Sequence, residues 1–140
     1  MRLTLVCVGR LKETYFTAAA DEYLKRIRRV LPCEVVEVKA EADLLRRCPP
    51  RAERWVLDER GRELGSLELA RELGRRMTSG SAGVAFLLGG AEGHSETVRR
   101  GADVVLSLSR FTLAHRIARL VLLEQLYRAL TIVRGEPYHK

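Results

Sequence analysis

Apolar residues in this chain come in short continuous runs, separated by longer stretches in which they recur every three or four positions. Leu3–Val8 is a near-continuous run stopped by Gly9, the pattern of a strand buried on both faces of a parallel sheet. From Thr14 to Leu31 the residues Phe16, Ala20, Tyr23, Leu24, Ile27 and Leu31 mark one face of an amphipathic helix, and Pro32 lies just past its end. Cys33–Val38 predicts a second strand, and Ala40–Cys48 a short helix or turn closed by Pro49-Pro50. Arg54–Asp58 predicts a third strand, with Glu59-Arg60-Gly61 turning away from it. Ser66 is placed to cap a helix over Leu67–Thr78, whose core face is Leu67, Ala70, Leu73 and Met77. Val84–Leu88 and Ala102–Leu108 supply the fourth and fifth strands, and Ser95 between them stands where a helix N-cap belongs. The last helix is expected to start near Thr112 and to run to Arg134, where Gly135 and Pro137 stop it.

Strands alternating with helices predict an α/β fold with a largely parallel sheet of about five strands, in one domain over residues 1–140. In the last helix Ile117, Leu120, Val121, Leu123, Glu124, Tyr127 and Leu130 occupy most of the circumference. A helix apolar on more than one side packs on more than one partner, and a second copy of the same helix makes a homodimer. The fourth strand runs directly into Gly89-Gly90-Ala91-Glu92-Gly93 and the fifth into Ser109-Arg110-Phe111-Thr112. Small and polar residues at the carboxyl ends of two parallel strands are the usual makings of a ligand cleft. A tight turn needing glycine for conformational reasons alone is the plainer reading of the first loop.

Charge narrows the ligand class. The chain carries a net charge of +7, and the stretch Arg110–Lys140 holds six Lys/Arg against two Glu. That balance favours a polyanion such as RNA, a solvated basic surface being the alternative. The cluster Lys25, Arg26, Arg28 and Arg29 is open to the same two readings. Three widely spaced cysteines, Cys7, Cys33 and Cys48, offer neither a CxxC pair nor an even disulfide set. No metal site is expected, since His94, His115 and His139 lie far apart without ligand-like companions. No apolar stretch reaches the length of a membrane span, and a cytoplasmic location is the default expectation. Walker, dinucleotide-fingerprint, GxSxG and HExxH motifs are all missing. The chain ends in Pro137-Tyr138-His139-Lys140, which reads either as a frayed tail or as a ring, an imidazole and a cation able to engage an unstacked base.

Taken together, FLLGGAEG, LSLSRFTLAHRIAR, LLEQLYRALTI and GEPYHK resemble, in order and spacing, the ribosomal RNA large subunit methyltransferase H family of SPOUT-class enzymes. The resemblance runs from LTLVCVGRLK to the closing YHK. It implies a trefoil-knotted α/β fold, homodimerisation, and methylation of N3 of a pseudouridine in 23S rRNA with S-adenosylmethionine. The cofactor walls it implies are Leu57, Gly90 and the loop Ser109, Arg110, Phe111, Thr112, Leu113 and Ala114. It further suggests His139 for proton handling, Tyr138 for stacking and Arg116 for stabilising charge, with Arg110, Arg128 and Lys140 on the RNA. The substrate is expected within an assembled ribosome or subunit. Two positions depart from the pattern: Ala114 stands where the family usually has proline, and Glu136 precedes Pro137. A ribosome-associated RNA-binding protein without catalysis is the reading of a different class, to be separated by calorimetry with S-adenosylmethionine.

Overall fold

A computed structural model describes residues 1–140. Five strands, β1 (Arg2–Val8), β2 (Cys33–Val38), β3 (Glu53–Glu63), β4 (Gly83–Leu88) and β5 (Val104–Ser107), form one sheet in the order β2-β1-β4-β3-β5. Every pairing is parallel. The helices are α1 (Thr14–Arg28), α2 (Ser66–Ser79), α3 (Glu96–Arg100) and α4 (His115–Arg134), with a 3-10 turn at Glu41–Asp43.

Alternate strand residues face two cores, which is why the strands read as continuous apolar runs. Leu3, Leu5, Cys7, Trp55, Phe86 and Leu88 pack with α1, α2 and α4 in the larger core. Val6, Val56, Ala85 and Leu87 point the other way, onto Leu44, Cys48 and Val98. The helix α4 fills the space between α1 and α2, with Leu122, Leu123, Leu126 and Leu130 fully buried. Arg119, also buried, fastens it to the sheet: its guanidinium donates to Glu37 at 2.7 Å and to the Gly9 carbonyl at 3.0 Å.

Several boundaries differ from the sequence reading. The helix α1 ends at Arg28, and Val30 and Leu31 close it as turn residues bonded to the Ile27 carbonyl. The N-cap of α2 is Gly65 and not Ser66; the Glu68 carboxylate reaches back to accept from Gly65 N at 2.9 Å. Ser66 is instead the first helical residue and donates to Gln125 on α4. Leu67 is exposed, and Leu69 takes its place in the core beside Ala70 and Leu73. Helix α4 begins at His115, capped by Ala114, because Thr112 spends its hydroxyl on Glu59 at 2.7 Å.

The third strand departs most. Leu57 and Arg62 both stand opposite Leu106, so Asp58–Gly61 leave the ladder and return at the same register. The expected turn at Glu59-Arg60-Gly61 is therefore an excursion within a longer strand. Gly61 makes it possible: a Cβ there would lie 2.6 Å from the Val105 carbonyl oxygen.

Candidate active site

A cleft of about 430 Å³ opens at the carboxyl ends of β3, β4 and β5, within the usual range of small-ligand sites. Three segments far apart in sequence build it: Leu57–Arg60, the excursion of β3; Leu88–His94, the glycine loop after β4; and Leu108–Leu113, the loop after β5. The first turn of α4 closes it with His115 and Ala118.

Each wall is fixed by local chemistry. Asp58 accepts from the Arg60 backbone at 2.9 Å and from its guanidinium at 3.1 and 3.2 Å, while Arg99 approaches to 3.6 Å. The Arg60 hydrogen bonds hold the Asp58 carboxyl below its ordinary range against the opposing effect of burial. In the glycine loop, Gly93 N donates to the Gly90 carbonyl at 3.1 Å, and Gly93 takes φ 76°. In the third wall Ser107 donates to the Ser109 carbonyl, and Ser109 Oγ accepts from Phe111 N, both at 2.9 Å. Thr112 crosses from this wall to Glu59, so two of the three segments are joined.

Of the residues expected around a cofactor, Leu57, Gly90, Ser109, Phe111, Thr112 and Leu113 line the cleft. Arg110 and Ala114 belong to the same loop but are exposed and outside the lining. Arg116 and Arg119 also lie outside the lining. Arg116 is paired with Glu13 and lies over the Phe16 ring, and Arg119 is the buried fastener of α4. Sequence reasoning passed over Asp58, Glu59, Arg60, His94 and His115, all of which line the cleft. The first three follow Leu57 directly, so only the excursion of β3 hid them. His94 and His115 are brought to one cavity by the fold alone. Burial lowers the His94 pKa, opposed by Asp58, Glu41 and the Leu87 and Leu57 carbonyls.

The C-terminal tail is not frayed. Tyr138 donates to Glu124 Oε2 at 2.9 Å, and its ring meets Tyr127 edge-on with centroids 4.7 Å apart. Arg128 binds Glu124 Oε2 at 2.8 Å and His139 Nδ1 at 3.0 Å, its guanidinium 4.9 Å from the Tyr138 ring centre. Arg128 is thus held inside this network, while Lys140 remains exposed. Glu136 pairs with Arg134 at 3.1 Å. Glu124 and Arg128 lie nine and thirteen residues beyond His115, roughly 14–20 Å along the helix axis. Tyr138 and His139 are therefore not brought together with the cleft of their own chain.

A profile described as Predicted SPOUT methyltransferase matches residues 1–139. A ribosomal RNA large subunit methyltransferase H from Anaeromyxobacter dehalogenans is 49% identical, with 100% of both chains covered. Among solved structures, a probable methylase family protein from Haemophilus influenzae superposes with a TM-score of 0.63 at 11% identity, covering 99% of this chain and 70% of that one. A putative methyltransferase from Legionella pneumophila, in complex with the cofactor S-adenosylmethionine, gives 0.51 at 11% identity, covering 90% and 65%. The structural likenesses speak for the fold. With the profile and the sequence relative, the cleft and the sheet lead to one conclusion: the chain belongs to the SPOUT methyltransferase family, alongside the ribosomal RNA large subunit methyltransferase H proteins.

Proposed function

We propose that this chain, as a single methyltransferase domain over residues 1–140, methylates N3 of a pseudouridine in 23S rRNA, with S-adenosylmethionine as methyl donor. The observation that carries the reading is the convergence of three distant segments on one cleft, coupled to a basic chain of net charge +7. The lining suits an adenosyl group. Leu57, Leu88, Leu108 and Leu113 offer apolar surface for a flat ring, while glycines and Ser109 leave backbone and small polar groups within reach. Leu57, Gly90, Ser109, Phe111, Thr112 and Leu113 would hold it, and Arg110 and Ala114 would support that loop from outside. When bound, S-adenosylmethionine supplies a methyl group already activated by its sulfonium.

The residues of the chain then have to align the acceptor nitrogen and remove its proton. Alignment makes the encounter effectively intramolecular and can lower the barrier by several kcal/mol. His139 is assigned the N3 proton or the positioning of the base, Tyr138 stacking, and Arg116, which would exchange Glu13 for the substrate, the developing negative charge. Arg110, Arg128 and Lys140 are assigned to the RNA. Because the tail docks on α4 away from its own cleft, the reading includes a homodimer in which each tail serves the other subunit's cleft. Support comes from Ile117 and Val133, apolar residues of α4 that are 43% and 38% exposed. The trefoil knot of the family is part of the same proposal. A chain this small grips little RNA by itself, so an assembled ribosome or subunit presents the base.

Mass spectrometry of 23S rRNA nucleosides from cells lacking the protein tests the reaction. Loss of one methylpseudouridine, restored by the gene, is the expected result; an unchanged profile overturns it. Mixed dimers test the shared site. A subunit disabled in the cleft and one carrying His139→Ala should regain methylation when paired, and would stay inactive if each cleft used its own tail.

A further inference from the structure

His94 is a polar side chain placed where the fold gives it nothing to bond. It follows the glycine loop and is 8% exposed, and neither Nδ1 nor Nε2 has a hydrogen-bond partner. The Leu87 and Leu57 carbonyls lie close enough to favour a charged ring, yet neither makes a hydrogen bond with it. Its own backbone is fixed, since the His94 carbonyl accepts from Arg99 at 2.8 Å. The ring edge lies under Gly89, 3.3 Å from where a Cβ on that residue would stand. His94 lines the main cleft and also a neighbouring one of about 450 Å³ behind the Gly90–Gly93 turn.

A buried imidazole normally has its ring nitrogens satisfied, because an orphaned donor or acceptor forfeits its hydration without return. No side chain of the lining, polar ones such as Asp58 and Ser109 included, bonds the His94 ring, so a partner has to come from the molecule that fills the cleft. Neutral imidazole offers one donor and one acceptor. A ribose hydroxyl both donates and accepts, and adenine sets ring-nitrogen acceptors beside an amino donor, so neutral groups meet both roles of a neutral imidazole; at the amino-acid end of the cofactor the carboxylate only accepts and the ammonium only donates.

Resting on the reading of the cleft as an S-adenosylmethionine site, we propose that His94 is a nucleoside-binding residue, hydrogen-bonded through its imidazole to the adenosyl part of the bound cofactor. It positions the cofactor and does not touch the reacting methyl.

S-adenosylhomocysteine, adenosine and homocysteine are the probes, used with the full chain. By calorimetry, His94→Phe, which keeps the ring and loses both nitrogens, should weaken S-adenosylhomocysteine about tenfold or more, some 1.4 kcal/mol. His94→Asn, which keeps a donor and an acceptor, should stay several-fold closer to wild type. In the wild-type protein the His94 Hε1 resonance should shift with S-adenosylhomocysteine and with adenosine, but not with homocysteine. That measurement stands even if a variant misfolds. Wild-type binding with an unmoved His94 resonance, or His94→Phe binding at full strength, overturns the role of His94 and leaves the cleft assignment intact. A wild-type protein that binds neither S-adenosylhomocysteine nor adenosine overturns both.

Discussion

The hydroxyl of Tyr138 donates to Glu124 at 2.9 Å, and this contact is what fixes the end of the chain on the middle of α4. Burial pushes the Glu124 carboxyl up, but the hydrogen bonds from Arg128 and Tyr138 outweigh it and leave it below the ordinary range. The anchor is therefore complete above the usual carboxylate pKa and is lost only as pH falls through the depressed value. Tyr138→Phe should cost about 1 kcal/mol in urea unfolding, a typical net value for one hydrogen bond. S-adenosylmethionine affinity, measured by calorimetry, should not change, because the tail is assigned to the substrate base and supplies none of the cofactor lining. Methylation of ribosomal substrate should fall several-fold.

Arg119 is a different kind of arginine from its neighbours. It lies 5% exposed between Glu37 and the Gly9 carbonyl, so it joins α4 to the ends of β1 and β2. Arg119→Met keeps the apolar stem and abandons both acceptors. The Glu37 side chain is 39% exposed and can recover water, which limits the loss to about 2 kcal/mol. Equilibrium unfolding in urea gives the number. A loss below 0.5 kcal/mol, roughly the effect of an ordinary surface change, would mean the contact is not a fastener.

The central strands β1 and β4 were legible because each is buried on both faces and carries a near-continuous apolar run. Ser95 was legible as a cap for a local reason: its hydroxyl accepts from Val98 N three residues on, at 3.3 Å. The cap of α2 was misread although its signal was present, since Glu68 lies three residues after Gly65 and not after Ser66. The excursion of β3 was not legible. Its cause is the register with β5, and nothing local to Asp58–Gly61 says that Leu57 and Arg62 share Leu106. The same holds for His94 and His115, twenty-one positions apart in the chain and on one cavity in the fold. The resemblance named loops at the cleft, but it could not say that Arg116 and Arg119 spend their charge on Glu13 and Glu37.

Ala114, where the resemblance implies a proline, has a backbone that already stands at φ −56° and ψ 141° before the first turn of α4. Proline holds that φ without strain and is favoured where a helix begins. Ala114→Pro should therefore raise stability by about 0.4–1 kcal/mol, chiefly by stiffening the unfolded chain. Chemical denaturation checks it. Cofactor affinity should hold or improve, since the loop before Ala114 forms a wall of the cleft.

Burial raises the Cys7 thiol to about 12 and the Cys33 thiol to about 11, from an ordinary value of 9.0. A raised folded pKa means that the unfolded chain releases its thiol protons first on alkaline titration. The stability these groups hold is whole below pH 9 and drains as pH rises, to about 11 for Cys33 and about 12 for Cys7. Cys7→Ala should flatten that alkaline decline in urea midpoints measured from neutral pH upward. Native protein should react with a thiol reagent at pH 8 far more slowly than protein in denaturant. Equal rates would mean that these thiols are not sealed.

Gly89 sits at the point where the glycine loop folds back on itself. A Cβ there would lie 2.8 Å from the Gly93 carbonyl oxygen and 3.0 Å from its carbon. Gly93 cannot retreat freely, because its N–H is bonded to the Gly90 carbonyl across the turn. A methyl group at position 89 must therefore displace the Gly90–Gly93 turn, which forms part of the cleft lining. Gly89→Ala should weaken S-adenosylmethionine about tenfold or more, equivalent to about 1.4 kcal/mol. Gly80→Ala is the control: Gly80 caps α2 at φ 79° with nothing within 4 Å of a Cβ. There the cost, about 1 kcal/mol, falls on folding, and calorimetry should find cofactor affinity unchanged. If both variants lost stability alike and both bound the cofactor as well as wild type, the glycine loop would be only a turn, and the cleft would owe it nothing.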